Sequence, residues 1–139
     1  MIFAPCQAAD IADVLARVPG AAGTMEPDDF LGAQVKGVSF SGWHEGRVVG
    51  CAGIYDVWPG RSAIWSLLPP ESGRHMVPIT RFVDEILYAY PARRVEATVR
   101  PGHAAGERWM KMLRFDFEGR MKAYGPDGGD YDLYARVRP

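Results

Sequence analysis

The residues best suited to chemistry fall at the joints between apolar segments. From Leu67 to Pro78 the chain reads LLPPESGRHMVP, where an apolar run gives way to Pro, Ser and Gly before a second apolar-periodic segment. A phosphate group needs several unpaired N–H groups converging where a helix starts, and the positive end of the helix dipole adds about 0.3–1 kcal/mol per charge there. Ser72, Gly73, Arg74 and His75, followed by the amides of Met76 and Val77, can supply that arrangement. Pro69, Pro70 and Pro78 have no N–H to give. The Arg74 guanidinium can compensate with a charge-assisted bond worth roughly 1.5–3 kcal/mol. The same letters also fit a solvated connection, with Pro78 at the first helical position that proline favours.

His103 is the other polar residue at a joint, after an alternating segment and before a helical one. An imidazole there can hydrogen-bond a ligand or relay a proton near neutral pH, or it can simply face water at the helix start. His44 lies beside a turn and reads as solvated. Cys6 and Cys51 have no partners at metal-ligand spacing, so no metal is expected, and two thiols cannot make the disulfide framework of a small secreted protein. The opening residues MIFAPCQAAD carry no positive n-region, and no apolar run reaches the length of a membrane span. A reducing cytoplasm is the expected location.

These residues need elements to position them. With 139 residues, 47% hydrophobic and 24% charged, the chain has material for one domain, 1–139, around a proper core. Lys and Arg number 16 against 17 Asp and Glu, without long blocks of one sign, which argues against nucleic acid or membrane as the partner. Ile2 to Cys6 reads as a strand. Asp10 caps a helix with Ile11, Val14, Leu15 and Val18 on one face, and Asp28 to Val35 suits a short helical piece. Val38 to Trp43 and Arg47 to Tyr55 flank a hairpin turn, and Asp56 to Gly60 form a second turn before a central strand, Ser62 to Leu68. Ile79, Phe82, Val83, Ile86, Leu87 and Tyr90 then mark an amphipathic helix stopped by Pro91. The strand Arg94 to Val99 should lie parallel to the strand ending at Leu68, because a strand-helix-strand unit closes by a right-handed crossover. A helix with Ala105, Trp109, Met112 and Leu113 on its buried stripe follows, and Glu118 to Tyr124 and Asp130 to Val137 close the chain as a hairpin. Trp65 and Trp109 read as core, whereas Trp58 in its turn is placed for a substrate or partner contact.

The order strand, helix, short helix, three antiparallel strands, helix, strand, helix, two strands resembles the GCN5-related N-acetyltransferase (GNAT) superfamily over nearly the whole chain. The most specific local match is HAAGERWMKMLRFDFEGR, in which His103 stands where the family usually has Asn. Leu113 and Phe115 match a Leu-Gly-Phe motif, with Arg114 in place of its Gly. YAYPARRVEATV and YGPDGGDYDLYARV around it resemble more narrowly the acetyltransferase-like proteins of phage and prophage genomes, which would put the protein in a host cytoplasm or a virion.

The resemblance implies an α/β fold: a mixed, mostly antiparallel sheet of six to seven strands, helices on both faces and a splayed parallel central pair. It implies acetyl-coenzyme A as cofactor, with the backbone of Ser66, Leu67 and Leu68 along its pantetheine and the loop Ser72 to Val77 at its pyrophosphate. His103 would face the pantetheine. The acceptor would be a primary amine of a protein or small molecule, and edge strands could pair in a homodimer. Many family members use a Glu on the fourth strand as base and a Tyr in the last helix as acid. Here the fourth strand has no carboxylate and the Tyr position holds Met110. Glu96, Tyr124, Tyr55, Asp56 and Tyr131 are the substitutes in reach, and direct transfer to a neutral amine by proximity is another route. A catalytically silent binding or virion-associated protein is the alternative reading.

Overall fold

Period-two alternation recurs along the chain and, among the described residues, yields one sheet of seven strands. A computed structural model describes residues 1–18 and 37–139; the helical piece expected around Asp28 to Val35 lies outside them. The strands are β1 (Ile2–Pro5), β2 (Gly37–His44), β3 (Arg47–Trp58), β4 (Arg61–Leu67), β5 (Arg94–Val99), β6 (Asp116–Met121) and β7 (Tyr131–Val137). Their order across the sheet is β1-β2-β3-β4-β5-β7-β6. Only β4 and β5 run parallel; every other neighbouring pair is antiparallel.

Alternation sends successive side chains to opposite faces, and each face is covered by helix. Helix α1 (Ala8–Leu15) buries Ile11 and Val14 against Cys51 and Leu67. A register shift between Gly42 and Trp43 acts as a bulge, which brings Val48 to the same side as Cys51. On the other face, α2 (Met76–Ala89) and α3 (Ala104–Met112) pack Leu87, Met110 and Leu113 against Ile54, Val95, Ala97 and Tyr134. Phe82 of α2 stacks on Phe3 at 4.0 Å and meets Phe40 edge-on at 5.0 Å, so the helix also fastens β1 and β2. Between α2 and the sheet lies an apolar void of about 60 Å³, lined by residues such as Phe40, Ile54, Ile79 and Phe82.

Several boundaries differ from those the sequence suggests, each for a local reason. Asp10 does not cap α1 as its first residue: Gln7 does, and Asp10 sits one turn in, buried, accepting the Gln7 amide at 2.9 Å and the Ser41 hydroxyl at 2.8 Å. Strand β3 runs on to Trp58, because Asp56 accepts bonds from Ser62 and Tyr90 that hold it in the sheet, leaving Pro59 and Gly60 as the turn. Pro78 is not the first residue of α2, which starts at Met76; Pro78 still falls in the first turn, where no N–H is required. In α3 the stripe is Met110 and Leu113 rather than Ala105 and Met112, and Met112 is exposed. Strand β6 begins at Asp116 and stops at Met121, short of Tyr124. No helix among the described residues is long and apolar enough to cross a membrane.

Candidate cofactor cleft between the parallel strands

Strands β4 and β5 are neighbours for three residue pairs only: Arg61 with Arg94, Ser62 with Val95 and Ala63 with Glu96. Beyond that point each keeps its outer partner, β4 pairing β3 as far as Leu67 with Cys51 and β5 pairing β7 as far as Val99 with Asp132. The two halves of the sheet therefore diverge as a V, and the β4 backbone from Ile64 to Leu67 has a free edge toward it. Ser66 and Thr98 are exposed although both lie in central strands, which marks the V as open at this level. Pro69 and Pro70 end β4 because they cannot donate to a ladder.

The closed end is fastened by charge. Glu96 accepts from Arg61 Nε and Nη2, each at 2.8 Å across the parallel pair, and from Arg94 Nε at 2.6 Å on its own strand. Arg94 continues to Glu118 of β6, with Nη1 at 3.0 Å. The Arg61 bonds, with those of Arg94, hold the Glu96 carboxyl below the usual carboxylate range against the opposing effect of burial. Glu96 is thus an occupied carboxylate at the apex of the V and a weak proton acceptor. Arg61 also lies 4.2 Å over the Trp58 ring, which is 56% exposed.

The open end carries the loop and the two helix starts. A 3-10 turn, Pro70–His75, runs directly into α2, and the Ser72 amide donates to the Pro69 carbonyl at 2.9 Å. Ser72 is buried beneath this turn, whereas Gly73, Arg74 and Val77 are exposed. Arg74 has no ion-pair partner among the described residues. His75 packs on His44, ring centroids 4.6 Å apart. Desolvation, with His44 and Arg74 nearby, lowers the His75 pKa from its ordinary value.

His103 caps α3: its Nδ1 accepts the Gly106 amide at 3.0 Å, which places the remaining ring proton of a neutral imidazole on Nε2. A Cβ at Gly106 would come within 2.9 Å of Val99 Cγ1, so glycine is what lets the start of α3 lie against the end of β5. Met110 is 3% exposed and faces the core, so the last helix presents no acid at that position. Tyr124 follows β6, is 57% exposed and meets Tyr131 edge-on at 5.6 Å. The Arg100 guanidinium lies 4.8 Å over Tyr131 and donates to Asp127 at 2.9 Å, tying the β6–β7 connection to the end of β5. Asp56 is committed to Ser62 and Tyr90, and its pKa is lowered by those bonds.

Arg17, Arg47 and His44, the last a solvated turn residue by its sequence, are all brought to the loop by the fold. Arg17 donates to Glu71 and, at 2.6 Å, to the Val48 carbonyl, bracing α1 against the loop across 54 positions of chain. No spacing rule reaches across such a separation.

A ribosomal-protein-alanine N-acetyltransferase from Escherichia coli has the same architecture, with a TM-score of 0.79 at 15% identity over 98% of this chain and 92% of its own. The fold is that of the GCN5-related N-acetyltransferases. A spermidine N-acetyltransferase from Vibrio cholerae matches the GNAT fold with a TM-score of 0.74 at 9% identity, covering 99% of this chain and 95% of its own. A ribosomal-protein alpha-N-acetyltransferase in complex with coenzyme A gives 0.72 at 12% identity, covering 97% and 92%. No protein-family model matches the sequence, and no curated protein matches it closely.

Proposed function

We propose that this protein transfers an acetyl group from acetyl-coenzyme A to a primary amine. The observation that carries the reading is the V between β4 and β5, open at Ser66 and Thr98, with a free backbone edge on β4 and two helix starts at its mouth. Such an edge suits the amides of a pantetheine arm, which would run along Ser66, Leu67 and Leu68 as an extra half-strand. The amides of Gly73, Arg74, His75, Met76 and Val77 suit a pyrophosphate at the start of α2, with Ser72 beneath them as support. His103, which opens α3 directly after β5, would face the same mouth.

Acetyl-coenzyme A supplies an activated acyl carbon: a C–N bond forms, the C–S bond breaks, the amine gives up a proton and the thiolate takes one. The chain's own contribution is mainly positioning, because Glu96 is held by two arginines and Met110 replaces an acid. Nε2–H of His103 and the Tyr124 phenol are the groups that would handle protons, and Glu96 would hold the apex. The amine arrives neutral or loses its proton to water. Since the similar structures named above include a ribosomal-protein-alanine N-acetyltransferase and a spermidine N-acetyltransferase, an alanine-initiated peptide and spermidine are the first acceptors to test. Those structures are bacterial or cofactor-bound enzymes, so the proposal rests on the broad fold and not on the narrower likeness to phage-encoded proteins. A homodimer through the free edge of β1 or β6 belongs to the same proposal; a monomer in sedimentation would remove that part.

Calorimetric titration of folded protein with acetyl-coenzyme A is expected to show one saturable site; no heat would sink the reading. The buried Met110 favours one rival, a silent binding domain. Mass spectrometry of the purified protein separates them, because co-purified coenzyme A is expected for the enzyme and none for the rival.

A further inference from the structure

The apolar void under α2 shares part of its lining with the open part of the V. Its floor is β3 and β4, where Ala52 pairs with Ser66 and Ile54 with Ile64, and its roof is Val83 and Ile86 of α2. Ile64 and Ser66 belong to the stretch of β4 that has lost β5 as a neighbour, since that pairing ends at Ala63 with Glu96. Ser66 is exposed in the V and lines the void as well. Trp109 of α3 forms a further wall, its ring held by the bond from Nε1 to Thr80 Oγ1 of α2 at 2.9 Å.

Protein interiors are close-packed, so a gap of about 60 Å³ needs a cause. Here the floor offers the small side chains Ala52 and Ser66 side by side, and the roof above them has no bulk to meet. Ile64, Val83, Ile86 and Trp109 pack on the core yet are only partly buried, as walls of an open void are. Its described lining carries no charged side chain. A cavity of that character holds water poorly, and an apolar chain entering it gains contacts that its walls otherwise lack. At roughly 30 Å³ for a water-sized group, the volume admits roughly two methylene or methyl groups.

We infer that the void receives the tail of a short linear acyl chain, so that the protein takes butyryl-class acyl-coenzyme A as well as acetyl-coenzyme A and holds it more tightly. This rests on the acetyl-transfer reading and extends its donor class. The thioester carbon stays in the V beside β4, and the added carbons pass Ser66 into the void. The bond changes are those of acetyl transfer: a C–N bond forms, the C–S bond breaks, the amine gives up a proton and the thiolate takes one. The added carbons take no part in them.

The test is calorimetric titration of the full chain with coenzyme A and with its acetyl, butyryl and octanoyl thioesters. Butyryl-coenzyme A is expected to bind about tenfold tighter than acetyl-coenzyme A, as burial of the added carbons implies, and octanoyl to bring no further gain because the void is then full. Val83→Phe fills the void from α2 and is expected to bring the butyryl and acetyl thioesters to the same affinity, while coenzyme A itself binds as before. Ala52→Val does the same in part from the floor, and circular dichroism checks that each variant is folded. Equal affinity for the acetyl and butyryl thioesters in the wild type overturns the inference and leaves acetyl transfer standing. A butyryl preference that survives Val83→Phe in folded protein, or an affinity that keeps rising to octanoyl, overturns it too, because the tail then lies elsewhere. Failure of coenzyme A and every thioester to bind sinks the acetyl-transfer reading, and this inference with it.

Discussion

The imidazole of His103 accepts the Gly106 amide through Nδ1, so a structural cap and a candidate proton carrier share one ring. Two substitutions divide these uses. His103→Ala removes the cap and is expected to cost about 1 kcal/mol in urea denaturation, whereas His103→Asn keeps a capping side chain and should cost only a few tenths. If Nε2 takes part in acetyl transfer, both variants lose turnover and only the first loses stability; an Asn variant with full turnover confines the residue to its cap. The sequence shows that His103 opens a helix, but which nitrogen is occupied follows from backbone placement. The same limit explains His44, a turn residue by its letters, which meets His75 only because the β2–β3 turn and the 3-10 turn converge.

At the scale of elements, the end of α3 explains why a Leu-Gly-Phe motif is readable here despite its missing glycine. The Phe115 amide donates to the Met110 carbonyl at 2.8 Å and the Arg114 amide to that of Lys111 at 3.0 Å, the paired bonds of a left-handed helix stop. Arg114 occupies the left-handed position with φ of +63°, which glycine adopts without strain and arginine does not. Its guanidinium donates to Asp84 at 2.8 Å, but that pair is exposed and offsets little. Arg114→Gly should therefore raise stability by about 1 kcal/mol, seen as a melting temperature several degrees higher. An unchanged or lowered melting temperature would mean that the Asp84 pair outweighs the backbone strain. Met110 and Leu113 lie three residues apart on one helical face and are buried together, whereas Met112 falls on the other side and is exposed. A helix of 9 residues has too few turns for periodicity alone to choose between the two methionines. The alternation of strands and the amphipathic α2 were legible for the opposite reason, since long regular segments average over their ends.

For the whole molecule the decisive feature is that a seven-stranded sheet is joined at its middle by three residue pairs, with α2 and α3 bridging one face. Opening the V leaves the Glu96 cluster to hold β4, β5 and β6 in register at the apex, by way of Arg61, Arg94 and Glu118. The Glu96 pKa is lowered, chiefly by Arg61, so the carboxylate adds stability above the ordinary carboxylate range. That contribution is lost as pH falls through the lowered folded-state value. Glu96→Gln removes the charge and one of the two oxygens that accept from Arg61 and Arg94, and is expected to cost about 1–2 kcal/mol at pH 7. Because the wild type loses the same charge in acid, the difference between the two proteins should shrink as pH drops from 6 toward 3. Urea unfolding across that range measures it, and a gap constant with pH would show that packing, not the ion pairs, closes the apex. If the apex sets the width of the V, the Gln variant should also bind acetyl-coenzyme A more weakly at pH 7, which calorimetry reads independently of stability.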